Sequence, residues 1–249
     1  MPTELRLHEI AESEQRILNP ITPDKLNLVG EACRPVAGQR MLDLACGKGE
    51  MLCQFARQHG IVGLGVDISS VFLDAARARA SEFGVADRVD FAQGDAGEVP
   101  VDSVGFDLVS CIGATWIGGG LTGTLELMKP ALSGPDGLLL VGEPYWIDEP
   151  PEQAYTVLGI ERDEYTSLAG TNHRFANADC ELIEMVLADG DSWDRYAAAQ
   201  WRTLSDWIRA HPDDPDVGAL RAFLSESRRG HLEYVRRYLG WGIFVLRAG

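Results

Sequence analysis

Residues Arg40 to Glu50 read R-M-L-D-L-A-C-G-K-G-E, and this stretch constrains the chain more than any other. Met41, Leu42 and Leu44 form a short apolar run that suits a buried parallel strand, and Gly47 and Gly49 break it before a helical stretch begins. A strand that feeds a glycine turn and then a helix lets backbone approach a ligand closely. It also aims free N–H groups, at the positive end of the helix dipole, into the same space. Such a crevice binds the polar part of a nucleotide-like cofactor.

The same alternation continues downstream. Apolar runs at 61–66, 89–92, 106–111 and 137–142 read as four further strands, and 50–58, 69–83 and 121–132 read as helices between them. Alternating strands and helices imply an α/β, doubly wound, mostly parallel sheet with helices on both faces. Ligands then bind at the carboxyl ends of the strands, where strand order reverses, and the glycine turn puts the first strand at that point.

Outside this core the expectations are looser. Residues 4–18 suit a helix that stops at Pro20, and Thr22 caps a second helix with Pro23 at its first position, running to about Cys33. Residues 151–176 hold a short helix or two, 179–184 look helical, and 184–188 form a sixth strand. Helices at 193–210 and 217–239 flank His211-Pro212-Asp213-Asp214-Pro215, and 242–247 supplies a seventh strand. No repeat or linker divides the chain, so residues 1–249 are expected to form one domain. Its core is placed at about 36–144, 178–190 and 240–249, and its helical lid at 1–33, 145–176 and 193–239.

Composition excludes several functions. With 22 Lys plus Arg against 38 Asp plus Glu, the formal charge of −16 opposes binding to phosphate backbones and anionic lipid, so nucleic acid is not the expected partner. The five cysteines show no CxxC pair and no zinc-type spacing, which points to reduced thiols and no metal. The N-terminus lacks a signal-peptide pattern and no segment has the apolar length of a membrane span, so a cytoplasmic location without stable membrane insertion is expected.

Acidic residues recur at the strand ends: Asp67 follows the glycine turn by about 20 positions, which suits a ribose diol, and Asp95 closes the third strand. Together D-L-A-C-G-K-G, G-V-D-I-S, Q-G-D-A and F-D-L-V-S resemble the motifs of class I S-adenosylmethionine-dependent methyltransferases over about Gln39 to Glu143 and the last strand. The resemblance implies their Rossmann-like seven-stranded fold and S-adenosylmethionine as cofactor, leaving as S-adenosylhomocysteine. It implies that Asp43, Ala45, Cys46, Gly47 and Gly49 hold the methionine half, with Asp43 on the amino group. Asp67 would take the ribose hydroxyls, Ile68 would pack on adenine, and Asp95 with the Ala96 N–H would meet the adenine edge. Cys111 and Ile112 would offer backbone near the methionine portion. Ala45 departs from the family, standing where many members carry the first glycine. The plain structural alternatives are a helix cap for Asp43, a turn former for Asp67 and an Asx turn for Asp95.

A nicotinamide oxidoreductase also needs a glycine turn and a distal acid, but its third glycine position is Leu52 here. A protein that binds S-adenosylmethionine without turnover is the other alternative. Methyl transfer asks mainly for in-line positioning, and a general base matters only where the acceptor must lose a proton. Glu143, Tyr145 and His173, with His231, are the candidates for that base, and Trp116, Tyr145 and Trp146 for acceptor contacts. The fourth strand lacks the N-P-P-Y or D-P-P-Y run of nucleic-acid amino-methyltransferases. The irregular insertions resemble those of quinone-biosynthesis methyltransferases and cyclopropane-synthase relatives, so a small-molecule acceptor is expected.

Overall fold

The computed structural model describes residues 4–98 and 105–249. Seven strands form one sheet: β1 (Arg40–Leu44), β2 (Val62–Asp67), β3 (Val89–Gln93), β4 (Leu108–Ile112), β5 (Leu138–Trp146), β6 (Cys180–Leu187) and β7 (Leu239–Ala248). Their spatial order is β3-β2-β1-β4-β5-β7-β6. The first five are parallel neighbours, and β7 runs antiparallel between β5 and β6. Strand order reverses at β1, so the glycine turn lies at the switch point, as the motif order requires.

The helices are α1 (Glu4–Ala11), α2 (Pro23–Cys33), α3 (Glu50–His59), α4 (Ser70–Phe83), α5 (Leu121–Met128), α6 (Glu152–Leu158), α7 (Leu168–Asn177), α8 (Gly190–Ala210), α9 (Val217–Gly230) and α10 (Arg236–Tyr238). Side chains alternate across the strands. Met41, Leu108 and Ile243 therefore join α2, α3 and α4 in one apolar layer, while Leu42, Val109 and Phe244 join α5 and α7 in the other. A third apolar cluster, with Ile10, Leu204, Ile208, Leu220 and Leu224, binds α1, α8 and α9 into a separate group. Thr22 caps α2 by accepting from Lys25 N, with Pro23 at the first helical position.

Several boundaries differ from those read in the sequence, each for a physical reason. Residues 179–184 are not helical. Cys180 to Leu187 pair along β7, whose buried face rewards an edge strand, with a bulge between Leu182 and Glu184. The first helix ends at Ala11, because the carbonyls of Glu12, Ser13 and Gln15 turn to the Lys48 ammonium. The 121–132 helix ends at Met128 and tightens into a 3-10 turn that contains Pro130. The 217–239 helix widens at His231–Val235, where His231 faces Asp194. β5 runs on to Trp146, since β7 begins at Leu239 and pairs with Tyr145 and Trp146, so the core-to-lid boundary at 144/145 falls inside a strand.

Leu52, which breaks the dinucleotide-binding fingerprint, has its complement in β2. A Cβ on Gly63 would lie 2.4 Å from Leu52 Cδ1, so here the strand supplies the glycine and the helix the bulk. Close packing of α3 on the sheet is achieved with the sizes exchanged. Gly63→Ala should therefore cost about 1–3 kcal/mol in urea unfolding through overpacking. In a Leu52→Ala background the same change should cost under about 1 kcal/mol, whereas additive penalties would show that the two positions do not share that space.

Candidate functional site

A cavity of about 740 Å³ opens at the carboxyl ends of β1 to β4. One wall is the turn after β1. Ala45, Gly47 and Gly49 all take positive φ, 55°, 52° and 65°, so the backbone coils tightly before α3 begins. Ala45 accepts this conformation at a cost of about 1 kcal/mol or more that glycine would avoid. Gly47 is close-packed from above, since a Cβ there would stand 2.8 Å from Leu18 Cδ1.

Asp67 organises the floor. Its Oδ2 accepts from Gly47 N at 2.8 Å and its Oδ1 from Ser69 N at 2.8 Å. Burial pushes this carboxyl upward, opposed by those backbone N–H groups. Asp43 is buried, and its Oδ1 accepts from Ser110 Oγ at 2.6 Å. Burial raises Asp43 to about 7, with the neighbouring Asp67 charge adding to the effect of desolvation. Asp95 forms an Asx turn through Gly97 N at 2.8 Å and still lines the cavity. For Asp67 and Asp95, turn formation and access to the cavity coexist.

The roof comes from residues 12–21. Lys48, inside the glycine turn, donates to the carbonyls of Glu12, Ser13 and Gln15 at 2.7, 2.7 and 2.8 Å. Arg16 pairs with Glu50 and Glu82, and Asn19 Nδ2 reaches Ile112 O at 3.4 Å. Glu12 is buried and accepts from the Tyr196 hydroxyl and from Gln200 on α8. Its carboxyl is pushed up, mainly by burial. Lys48, Asn19, Glu12 and Tyr196 all line the cavity; the residue pattern marks Tyr196 as lid packing or an apolar acceptor wall and gives the other three no role. The acceptors of Lys48 are backbone carbonyls, which leave no trace in residue types, and Glu12 lies 184 residues from Tyr196.

Of the residues singled out from the sequence, Asp43, Ala45, Cys46, Gly47, Asp67, Ile68, Asp95, Ala96, Ile112 and Trp116 line the cavity. Ile68 and Trp116 are exposed, at 57% and 71%, so they stand where the cavity meets solvent. Gly49 faces the Phe91 ring instead, and Cys111 is buried in the sheet between Leu44 and Val141. Tyr145 packs over Gly240, and Trp146 is held edge-on by Tyr155 and Tyr165, so neither ring lines the cavity. His173 is exposed on α7, and His231 is buried in the lid against Asp194 and Trp201. Glu143 stands one layer behind the wall. Its Oε2 accepts from Thr115 Oγ1 at 2.6 Å, and Thr115 lines the cavity. Among the described residues no group of three His, Cys, Asp or Glu is placed to hold a metal, and no helix is long and apolar enough to cross a membrane.

Comparison with known proteins agrees with this geometry. A family model described as a methyltransferase domain matches residues 41–128. The crystal structure of an S-adenosylmethionine-dependent methyltransferase from Geobacter sulfurreducens, in complex with S-adenosyl-L-homocysteine, is 45% identical. It superposes with a TM-score of 0.93 over 100% of this chain and 99% of that one. The Escherichia coli K12 protein YjhP is 42% identical over 98% of both chains. A ubiquinone/menaquinone biosynthesis C-methyltransferase from Enterobacter sp. (strain 638) is 29% identical over 85% of this chain and 74% of its own.

Burial raises the Glu143 carboxyl from its ordinary 4.5 to about 7, against the Thr115 hydrogen bond and the Arg174 charge. A folded pKa above the unfolded one means that the stability tied to this group is present in acid. It is lost as pH rises from the unfolded pKa through about 7. Glutamine keeps the acceptor for Thr115 and does not titrate. Relative to the parent, Glu143→Gln should be about 2 kcal/mol more favourable at pH 8 than at pH 5 in urea unfolding. An effect equal at both pH values would show that Glu143 titrates normally.

Proposed function

The chain belongs to the S-adenosylmethionine-dependent methyltransferases, and on that footing we propose that it methylates a small-molecule acceptor held in the same cavity as the cofactor. The observation that carries this is the placement of Asp43, Asp67 and Asp95 at three successive strand ends around one cavity, which continues past Ile112 into apolar space.

The donor set fits the cofactor. Asp43 is a cavity-lining buried carboxyl whose one side-chain partner among the described residues is a neutral hydroxyl, which suits an incoming ammonium. Asp67 keeps lone pairs free beside its two backbone bonds, enough to accept from a ribose diol. Ile68 and Trp116 offer apolar surface at the opening for the adenine, with Asp95 and the Ala96 N–H at its edge. Gly47 and Gly49 shape the turn that admits the methionine chain, with Ala45 and Cys46, and Ile112 borders it, while Cys111 stays buried in the sheet.

S-adenosylmethionine supplies a methyl on a sulfonium that is already a good leaving group, so the chain's task is to hold an acceptor in line and exclude water. Where the acceptor has a proton to lose, Glu143 is the group to store it. Thr115 stands between them, touching both the cavity and the carboxyl. Tyr145, Trp146 and His173 have no part in this scheme, because none of them lines the cavity and none has the hydrogen bond to a lining side chain that Glu143 makes with Thr115. Leu52 packed on Gly63 speaks against a dinucleotide cofactor, whose pyrophosphate site uses a glycine on the helix.

Titration calorimetry with S-adenosylhomocysteine tests this. An ammonium beside Asp43 pulls its pKa down from about 7. Binding at pH 6 should therefore release up to about one proton, seen as heat that varies with buffer ionisation enthalpy, and almost none at pH 8.5. NAD should give no binding heat. Tighter binding of NAD than of S-adenosylhomocysteine would overturn the cofactor assignment. No labelled product from radiolabelled S-adenosylmethionine across phenols, amines, thiols and carbon acids would favour a binding protein without turnover.

A further inference from the structure

The cavity is electrically lopsided. Its charged lining side chains sit at the ends of β1, β2 and β3, in the first turn of α3, and on residues 8–16 and Lys48. Most of these charges are already matched. Lys48 has three carbonyls for its three N–H groups, Arg16 and Arg79 share Glu50, and Asp67 takes two backbone N–H groups.

Beyond Ile112 the lining changes. Ile21, Leu26, Trp241 and Ile243 form one apolar cluster, with Trp193 and Ile112 packed against it, and all six also line the cavity. Pro144 lies in register with Trp241 on the adjoining strand, and Tyr165 adds a neutral aromatic wall. The charged lining side chain tied nearest to it is Glu12, whose carboxylate already accepts from Tyr196, one helical turn from Trp193, and from Gln200. Glu143 is the nearest acid in the sheet, and it is screened behind Thr115, outside the lining. The polar atoms at the junction with the cofactor half, on Asn19 and Thr115, are uncharged.

Resting on the methyltransferase reading, we propose that the acceptor is an uncharged, mostly apolar molecule whose body fills the end lined by Ile21, Leu26, Trp193, Trp241 and Ile243. Its single reactive group points back toward Ile112 and Thr115. A carboxylate or phosphate on that body would lose its hydration and gain no counter-charge, and an ammonium would have only the faces of aromatic rings to replace its water. Acceptors that carry a carboxylate or a phosphate on that body are therefore disfavoured by the lining itself.

Three probes with one body separate these classes: 4-propylphenol, 4-propylbenzoate and 4-propylbenzylammonium, each titrated at pH 7.5 into the full chain saturated with S-adenosylhomocysteine. The phenol should bind at least about tenfold more tightly than either charged probe. Trp193→Ala should weaken the phenol by about threefold or more, with a smaller effect on S-adenosylhomocysteine. Equal or tighter binding of a charged probe would overturn the proposal. So would failure of all three probes to bind a chain that does bind S-adenosylhomocysteine. If S-adenosylhomocysteine itself does not bind, the cofactor reading beneath the proposal is what fails.

Discussion

The carboxylate of Asp67 ties three separate pieces of chain together. One oxygen receives the N–H of Gly47, in the turn after β1, and the other receives the N–H of Ser69, which caps α4 through its hydroxyl. The same hydroxyl donates to Glu9 of α1 at 2.6 Å. A single buried acid thus couples the glycine turn, the next helix and the first lid helix. Burying it costs solvation, and charge-assisted bonds from backbone N–H groups offset that cost. The outcome is a turn whose curvature is held from β2 as well as by its own bond from Gly49 N to Cys46 O.

The other half of the cavity is built by Lys48. Its ammonium is surrounded by carbonyls of the segment that leaves α1, and burial lowers its pKa. The same segment is tied to α8 through Glu12, Gln15 and Tyr196, and Leu18 rests on Gly47. Roof and floor therefore meet at the glycine turn, one through backbone carbonyls and the other through a carboxylate. Since α1, α8 and α9 share their own apolar cluster, the roof is supported as a unit rather than as a loose strap.

This division explains what was legible in the sequence. The order of β1 to β5 follows from local periodicity and turn residues, which nearby contacts enforce, and the acids at the strand ends come with that order. The start of β6 departs from its local helical pattern because an edge strand is decided by its partner, and the segment from Cys180 pairs along β7 some 60 residues away. The roof was invisible for a similar reason, since its bonds join residues over 30 to 180 positions apart and many end on backbone. Leu52 by itself marks the departure from dinucleotide-binding proteins, whereas nothing in the local pattern V-G-L-G-V sets its counterpart Gly63 apart. Ala45 shows the reverse case: it stands where many members carry glycine and takes a left-handed φ that alanine does not favour.

On the proposed reading, the floor holds the cofactor and the space past Ile112 holds whatever receives the methyl. Both depend on the turn that Asp67 holds. The most direct test is the dissociation constant of Asp67→Ala for S-adenosylhomocysteine, measured by calorimetry beside thermal unfolding of the same variant. A folded variant should bind more weakly by about 1–3 kcal/mol, through loss of a charge-assisted hydrogen bond and of the turn's anchor. An unchanged dissociation constant would contradict the account, leaving Asp67 as a residue of the turn alone.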